Sequence, residues 1–537
     1  MRILGLFMGG LLSVGCASEG GKESGKEGES ASESPLTSAT GVERKFQWDS
    51  YVYVSPNADV ATIQTTITKQ IKSAIGALRA SEIALQRRDA ASGLDPATWT
   101  TEALTVIDTD HPRQPQRPVL RVRYHYADSA MVRPTSTITT FQLPLLFGDY
   151  FTRSEEILAR CSDYLKLDAH LLWFHFTPTL SNCRTTMSLE ASDVDYATSR
   201  LGRAPLQTSL LDVNRLYLTV PADLTNPGAP PTTYPEYDRL WGFGTDRTQL
   251  VVYALFGVNS KDYTDSDSSL IEYMRFMRTL RAAFSQYRVS LTRPSDNLLD
   301  FSLDGARVSA THEDTFDWII DGKSFPASVT DPARRERLKQ QVLTHYAERW
   351  IYWDLPVTVA RGPESRDVTV QVRAYWGNES GTPEYLNAAR ARYAEGMLRG
   401  DVFVYQGHSH YGSGALDPTG YSHANFPEDR YQTMLFNSCI SFNHYDAGYL
   451  RIHPGGSRNL DLVVNGLSSY WHLLGQGSAS YVIGLTDGKN RSWKEILSSM
   501  VVTPNPTEHD PMRAVNGELD NEFNPGDGPI RLTMSGG

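Results

Sequence analysis

The sequence predicts an α/β fold. Its C-terminal part reads as a mostly parallel sheet with helices on both faces, preceded by a β-rich α+β domain. Three observations predict this. From about residue 240, continuous apolar runs alternate with amphipathic helices, the pattern of strands buried on both faces. Between about 46 and 230, apolar and polar residues alternate over short runs, as in half-buried strands. The composition is globular, 537 residues with 40% hydrophobic and 21% charged, enough for more than one core. A net charge of −11 without a basic block argues against a nucleic-acid partner.

The chain opens with "MRILGLFMGGLLSVGC". Arg2 supplies a positive charge, and Ile3 to Val14 is apolar but too short to span a bilayer. Small residues then lead to Cys16. The stretch resembles a bacterial lipoprotein signal, with Ser13-Val14-Gly15-Cys16 at the cleavage motif and Ser13 where leucine is usual. The resemblance implies cleavage before Cys16, lipidation of its sulfur, and export to the cell envelope at the outer membrane. Residues 17–45 follow as a tether, because "SEGGKESGKEGESASESP" has almost nothing to bury.

In the first domain, 46–230, Ile63, Ile67, Ile71, Ile75 and Leu78 recur at helical spacing. "PVLRVRYHYA" alternates Leu120, Val122, Tyr124 and Tyr126 with Arg121, Arg123 and His125, a half-buried strand. "TSTITTFQLPLLF" and "NRLYLTVPADL" read as further strands, and the proline-rich Pro221–Pro235 as a loop. Cys161 and Cys183 lie 22 residues apart and, outside the cytoplasm, pair as a disulfide. Closing that loop contributes roughly 3 kcal/mol.

In the second domain, 240–537, "LVVYALFG" is a buried strand and Leu270, Met274, Met277 and Phe284 mark a helix. "DPARRERLKQQVLTHYAERW" is a helix capped by Asp331, with Pro332 in its first turn. "DVTVQVRAYWG" is a strand. "TPEYLNAARARYAEGMLRG" is a helix capped by Thr382 and closed at Gly400. The strands "DVFVYQG", "YQTMLFNS" and "LDLVVN" follow, then helices near 473–481 and in "RSWKEILSSM". Residues 288–332 break this rhythm and read as an insertion. "NGELDNEFNPGDG" reads as a solvated acidic turn.

Two of these strands end in chemistry. "DVFVYQG" leads to His408 and "YQTMLFNS" to Cys439. In one parallel sheet both residues emerge on the carboxyl edge, where open α/β sheets place their sites, and the connection between them is long enough for a crossover. A histidine beside a thiol lowers the thiol's proton affinity and later protonates a leaving amine. His410, two residues on, reads as a surface or secondary contact.

"FVYQGHS" followed by "MLFNSCIS" is similar to the paired motifs of clan CD cysteine peptidases, the caspase and gingipain group, with the closer likeness to the gingipain branch. The resemblance spans at most Val368 to Met500. It implies a caspase-like domain that hydrolyses peptide bonds without a cofactor, on a peptide or protein substrate. His408 would be the acid/base and Cys439 the nucleophile, with oxyanion donors on the backbone N–H of Ser409 and Cys439. The family has glycine where Ser409 stands; a need for positive φ there would distort the oxyanion hole.

Two other readings stand beside it. A surface-binding lipoprotein with a degenerate peptidase fold would use aromatic runs such as "LLWFHF" and "YPEYDRLW". A zinc-dependent hydrolase would use the His408-Ser409-His410 pair, with His423, His444, Asp446, His453 or the "THEDTFD" stretch supplying further ligands.

Overall fold

The computed structural model describes residues 35–86, 93–108, 116–147, 150–162, 171–189, 215–258, 263–264, 267–284, 299–379, 381–469, 474–502 and 510–533. The signal, Cys16 and most of the tether lie outside them. In chain order the strands are β1 (Thr37–Ser38), β2 (Val42–Val54), β3 (Ala84–Leu85), β4 (Thr100–Ile107), β5 (Gln116–Val132), β6 (Thr140–Leu146), β7 (Tyr217–Thr225), β8 (Gln249–Gly257), β9 (Leu299–Leu303), β10 (Ala306–Ala310), β11 (Trp350–Arg361), β12 (Glu364–Gly377), β13 (Val402–Gln406), β14 (Gln432–Asn437), β15 (Leu460–Asn465), β16 (Arg513–Asn516) and β17 (Ile530–Thr533).

The protein is mixed α/β. A nine-stranded sheet runs in the order β1-β16-β15-β14-β13-β8-β12-β11-β17. Its central strands β12, β8, β13, β14 and β15 pair in parallel, and β11, β16 and β17 are antiparallel additions at the flanks. Read by first appearance, the parallel strands lie 2-1-3-4-5, so the winding reverses between β8 and β13.

Successive residues of β8 enter different cores. Leu250, Val252, Ala254 and Phe256 pack with the helices Ser268–Phe284 and Leu474–Thr486. Val251, Tyr253 and Leu255 pack with Pro383–Arg399 and Ser441–Ile452. Alternation puts one apolar layer on each face, which is why this strand has no polar side.

A second sheet orders β3-β5-β2-β7-β6, with β4 on β5. The helix Val60–Arg79 covers it, capped by Asp59, and buries Ile63, Ile67, Ile71, Ile75 and Leu78 as the periodicity requires. Cys161 and Cys183 are disulfide-bonded within its core.

From Ser34 onward the chain is one compact unit that holds both sheets. Arg133 reaches from β-rich chain to Asp510 at 2.9 Å, and Asn443 donates to the Leu85 carbonyl.

Several expectations change. The stretch assigned to the end of the tether is strand: Thr37 and Ser38 pair with Val515 and Ala514, and β2 starts at Val42. β7 runs into the proposed loop. Pro221 falls just before the β2 pairing begins at Ala222, so its missing N–H breaks no bond there. The helix read as far as Trp350 ends at Tyr346, and β11 starts at Trp350. The insertion contributes the β9–β10 hairpin, with Phe301, Leu303 and Trp318 in the core. The acidic turn near the C-terminus is not all solvated: Glu518 is fully buried and accepts the Thr37 amide at 2.8 Å.

Candidate active site

β13 and β14 are parallel neighbours whose last paired residues are Gln406 and Asn437. His408 and Cys439 each lie two residues beyond that pair. The register therefore sets His408 and Cys439 at the same offset past the ends of two adjacent parallel strands, which run about 5 Å apart. They emerge beside the β8–β13 reversal, on the carboxyl edge of the sheet.

Beneath them the strand ends are fixed by buried amides. Gln406 Oε1 accepts from Ser478 Oγ at 2.9 Å, and Asn437 Nδ2 donates to Ser478 Oγ at 3.0 Å. Asn437 Oδ1 accepts from Asn465 Nδ2 at 3.0 Å and from Arg513 Nη2 at 3.1 Å. Asn465 also donates to the Ser438 carbonyl at 3.0 Å, directly before Cys439. Burial pushes the Arg513 guanidinium down to about 10, against the pull of Asp510.

Cys439 sits on a sharp strand-to-helix turn. Ile440 follows it at φ 42°, ψ 38°, and the helix Ser441–Ile452 begins at the next residue. A β-branched residue in the left-handed region costs roughly 1–2 kcal/mol. The strain is held by the Ile440 amide on the Leu467 carbonyl at 3.1 Å and by Ser441 Oγ on the Phe436 carbonyl at 2.7 Å. Ser438 and Ile440 are buried, whereas Cys439 is partly exposed and free. Its Sγ donates to the Ser469 carbonyl at 3.6 Å and accepts from Ser469 Oγ at 3.8 Å.

His410, expected as a surface or secondary contact, is partly exposed and makes the secondary contact. Its Nε2 lies 3.2 Å from Glu379 Oε1, and Glu379 is buried just beyond the end of β12. Tyr393 also donates to Glu379. The Tyr405 hydroxyl is 2.6 Å from Glu379 Oε1 and 2.8 Å from the His408 carbonyl, so it ties the carboxylate to the backbone of His408. Burial pushes Glu379 up, but its bonds to His410, Tyr393 and Tyr405 hold it below the usual range. Burial likewise pushes His410 down, and Glu379 more than reverses this. The His408 and His410 rings are 5.7 Å apart. Sequence reasoning passed over Glu379, which sits in an aperiodic loop. The available signal was the glycines ending β8 and β13: a Cβ on Gly257 or Gly407 would crowd its carboxylate.

Ser409 adopts φ −74°, ψ −12°, a conformation open to any residue, so the loss of glycine there strains nothing. Its carbonyl accepts from Tyr445 OH at 2.6 Å and from the Gly412 amide at 2.8 Å. Among the described residues, neither the Ser409 nor the Cys439 amide donates a hydrogen bond.

The β-rich part touches the segments that follow the two strand ends. Phe174 packs on Tyr411 at 5.0 Å, and Trp173 lies edge-on to His444 at 6.1 Å. This aromatic run sits inside the loop closed by the Cys161–Cys183 disulfide.

The other proposed zinc ligands are dispersed. His453 bonds Gln432, Asp446 bonds Asn516 and Gln86, and His423 is exposed on a separate turn. The "THEDTFD" histidine, His312, bonds Tyr346 at 2.5 Å in a separate core. Among the described residues no group of three His, Cys, Asp or Glu side chains is placed to hold a metal ion. No helix among them is long and apolar enough to cross a membrane.

Fold and site together define an α/β protein with a thiol and an imidazole on adjacent parallel strand ends. No protein-family model, curated protein or solved structure matches the chain.

Proposed function

We propose that this chain is an exported, lipid-anchored cysteine peptidase of the caspase and gingipain kind, hydrolysing peptide bonds through Cys439 and His408. The carrying observation is the β13–β14 register, which places both residues at the same offset past a paired couple, Gln406 and Asn437. In the reaction His408 takes the proton from Cys439 Sγ as sulfur attacks the scissile carbonyl carbon. The backbone amides of Ser409 and Cys439 receive the oxyanion. His408 then gives its proton to the leaving nitrogen, and water hydrolyses the thioester. Before attack the thiol must release the Ser469 carbonyl.

That same bond favours a second reading, a non-catalytic binding protein whose thiol is structural. One experiment separates them: the rate of Cys439 alkylation against pH on the chain carrying Cys16→Ser, with His408→Ala alongside. Cys161 and Cys183 are disulfide-bonded and Cys16 is replaced, so the label reports on Cys439. The peptidase reading expects fast labelling at pH 6 and at least a tenfold loss in His408→Ala, within the ~10²–10⁴-fold range of acid/base effects. Labelling only on unfolding supports the binding protein.

A further inference from the structure

The outward face of the second sheet carries a pocket that the Cys439–His408 reading does not use. On β2 and β5 the inward residues pack beneath the helix Val60–Arg79, and the alternate residues Asp49, Tyr51, Arg123 and His125 point the other way. The register sets Asp49 opposite His125 and Tyr51 opposite Arg123, with Thr100 of β4 on the other side of Arg123. These five residues line a cavity of about 400 Å³, within the usual size of a ligand pocket, and residues 218–220 of β7 line its far side. That far side exists because β2 and β7 part. Their ladder ends where Trp48 meets Ala222, and Pro221, next in line, has no N–H to offer Asp49. Among the described residues no ladder joins residues 49–51 to 218–220, although the first stretch pairs with β5 and the second with β6. An extended guest of about three residues, roughly 10 Å long, matches these facing stretches.

We propose that this pocket docks a short extended peptide bearing a carboxylate, with Arg123 as the carboxylate's partner. The charges around the pocket are unequally engaged. Asp49 Oδ1 lies 2.9 Å from His125 Nδ1. Arg121, two residues before Arg123, is paired with Glu102. Arg123 forms no ion pair among the described residues, and its guanidinium stands 5.9 Å from the Tyr51 ring centre. A planar guanidinium with uncommitted donors takes a carboxylate through two parallel N–H···O bonds. Arg121 and Arg215 also lie over Tyr51, at 5.7 and 5.8 Å, so three guanidiniums gather round one ring and add to the pull on an anion. Beneath the pocket, Ser50 and Tyr124 turn their hydroxyls inward to Gln70 on the covering helix, at 3.0 and 2.6 Å. That holds β2 and β5 in place before a guest arrives. A bare inorganic anion would use Arg123 and leave the parted strands idle; a peptide uses both. This docking goes beyond the peptidase reading and holds whether Cys439 is catalytic or structural.

The test is isothermal titration of the chain carrying Cys16→Ser and Cys439→Ala, which cannot cleave a probe through the thiol. The probes are acetyl-Val-Thr-Val-Glu-amide, with its carboxylate on a side chain, acetyl-Val-Thr-Val with a free C-terminus, and acetyl-Val-Thr-Val-amide, with no carboxylate. Either acid binding at least about tenfold tighter than the plain amide supports the proposal and names the source of the carboxylate, since a charge-assisted bond contributes about that much. Arg123→Gln should erase that preference. Arg117→Gln removes the same charge from the same strand outside the pocket, and should change affinity by less than about twofold. Equal losses in the two variants would mean attraction by net charge alone and overturn the proposal. So would the absence of any preference for the acids, no binding of any probe, or inorganic phosphate binding as tightly as the acids.

Discussion

The two ends of the large parallel sheet treat buried charge in opposite ways. At the amino end, Asp401 stands directly before β13 and is wholly buried. It accepts the Val251 amide at 2.7 Å and pairs with Arg247, with Arg430 at 3.6 Å. Asp461, second in β15, accepts from Tyr431, from Trp493 Nε1 at 2.9 Å and from Asn521 Nδ2 at 2.6 Å. These acids staple strand to strand, and their partners are rigid. At the carboxyl end, Glu379 instead pairs with the His410 ring, 5.7 Å from that of His408, and His408 and Cys439 are partly exposed just past their strand ends. One sheet thus buries its acids against strand-stapling partners at one edge and against a histidine at the other.

The largest expected effect breaks the amino end alone. Asp401→Ala orphans the Val251 amide and leaves two guanidiniums facing a cavity, a loss of about 3–5 kcal/mol. Cys439→Ala should cost about 1 kcal/mol or less while removing the reactive thiol. Urea unfolding of both variants checks this. Equal destabilisation by the two would end the distinction between the edges.

A smaller effect is a matter of pH. Burial pushes Asp461 up to about 7, against hydrogen bonds from Tyr431, Asn521 and Trp493. A carboxyl whose folded value lies above its unfolded value of 3.8 binds its proton more tightly in the native state. The stability this supplies is full below 3.8 and is lost as pH rises through about 7. Asp461→Asn cannot titrate, so the fall in Tm between pH 5 and pH 8 should be shallower in the variant. Part of the fall should remain, because burial also pushes Asp446 up to about 7. An unchanged slope would show that the three donors keep Asp461 ionised throughout.

The same contrast explains what was legible in the sequence. Strands β8, β13, β14 and β15 were readable because strands buried on both faces leave unbroken apolar runs. β11 was missed although Trp353, Leu355, Val357 and Val359 alternate into the core. Pro356 lies within it, opposite Thr369 of β12, and β17 pairs β11 only from Thr358 onward. His408 and Cys439 were singled out because each closely follows such a run. Glu379 and its contact with His410 were not, because their meeting depends on three strand ends converging, which no local periodicity records.

The smallest expected effect concerns Ser409, the position at which the resembled motif has glycine. If the loop required positive φ at this position, restoring glycine would relieve strain and sharpen the site. The backbone argues otherwise: Ser409 is right-handed, and the left-handed turn begins one residue later, at His410. Glycine would bring only added freedom to the unfolded chain, a loss of about 0.5–1 kcal/mol. Ser409→Gly should therefore lower Tm slightly and change the rate of Cys439 alkylation at pH 6 by less than about twofold, well under 1 kcal/mol. A gain of tenfold or more would mean that the productive loop differs from this one, with residue 409 itself turning left-handed to aim its amide at the oxyanion.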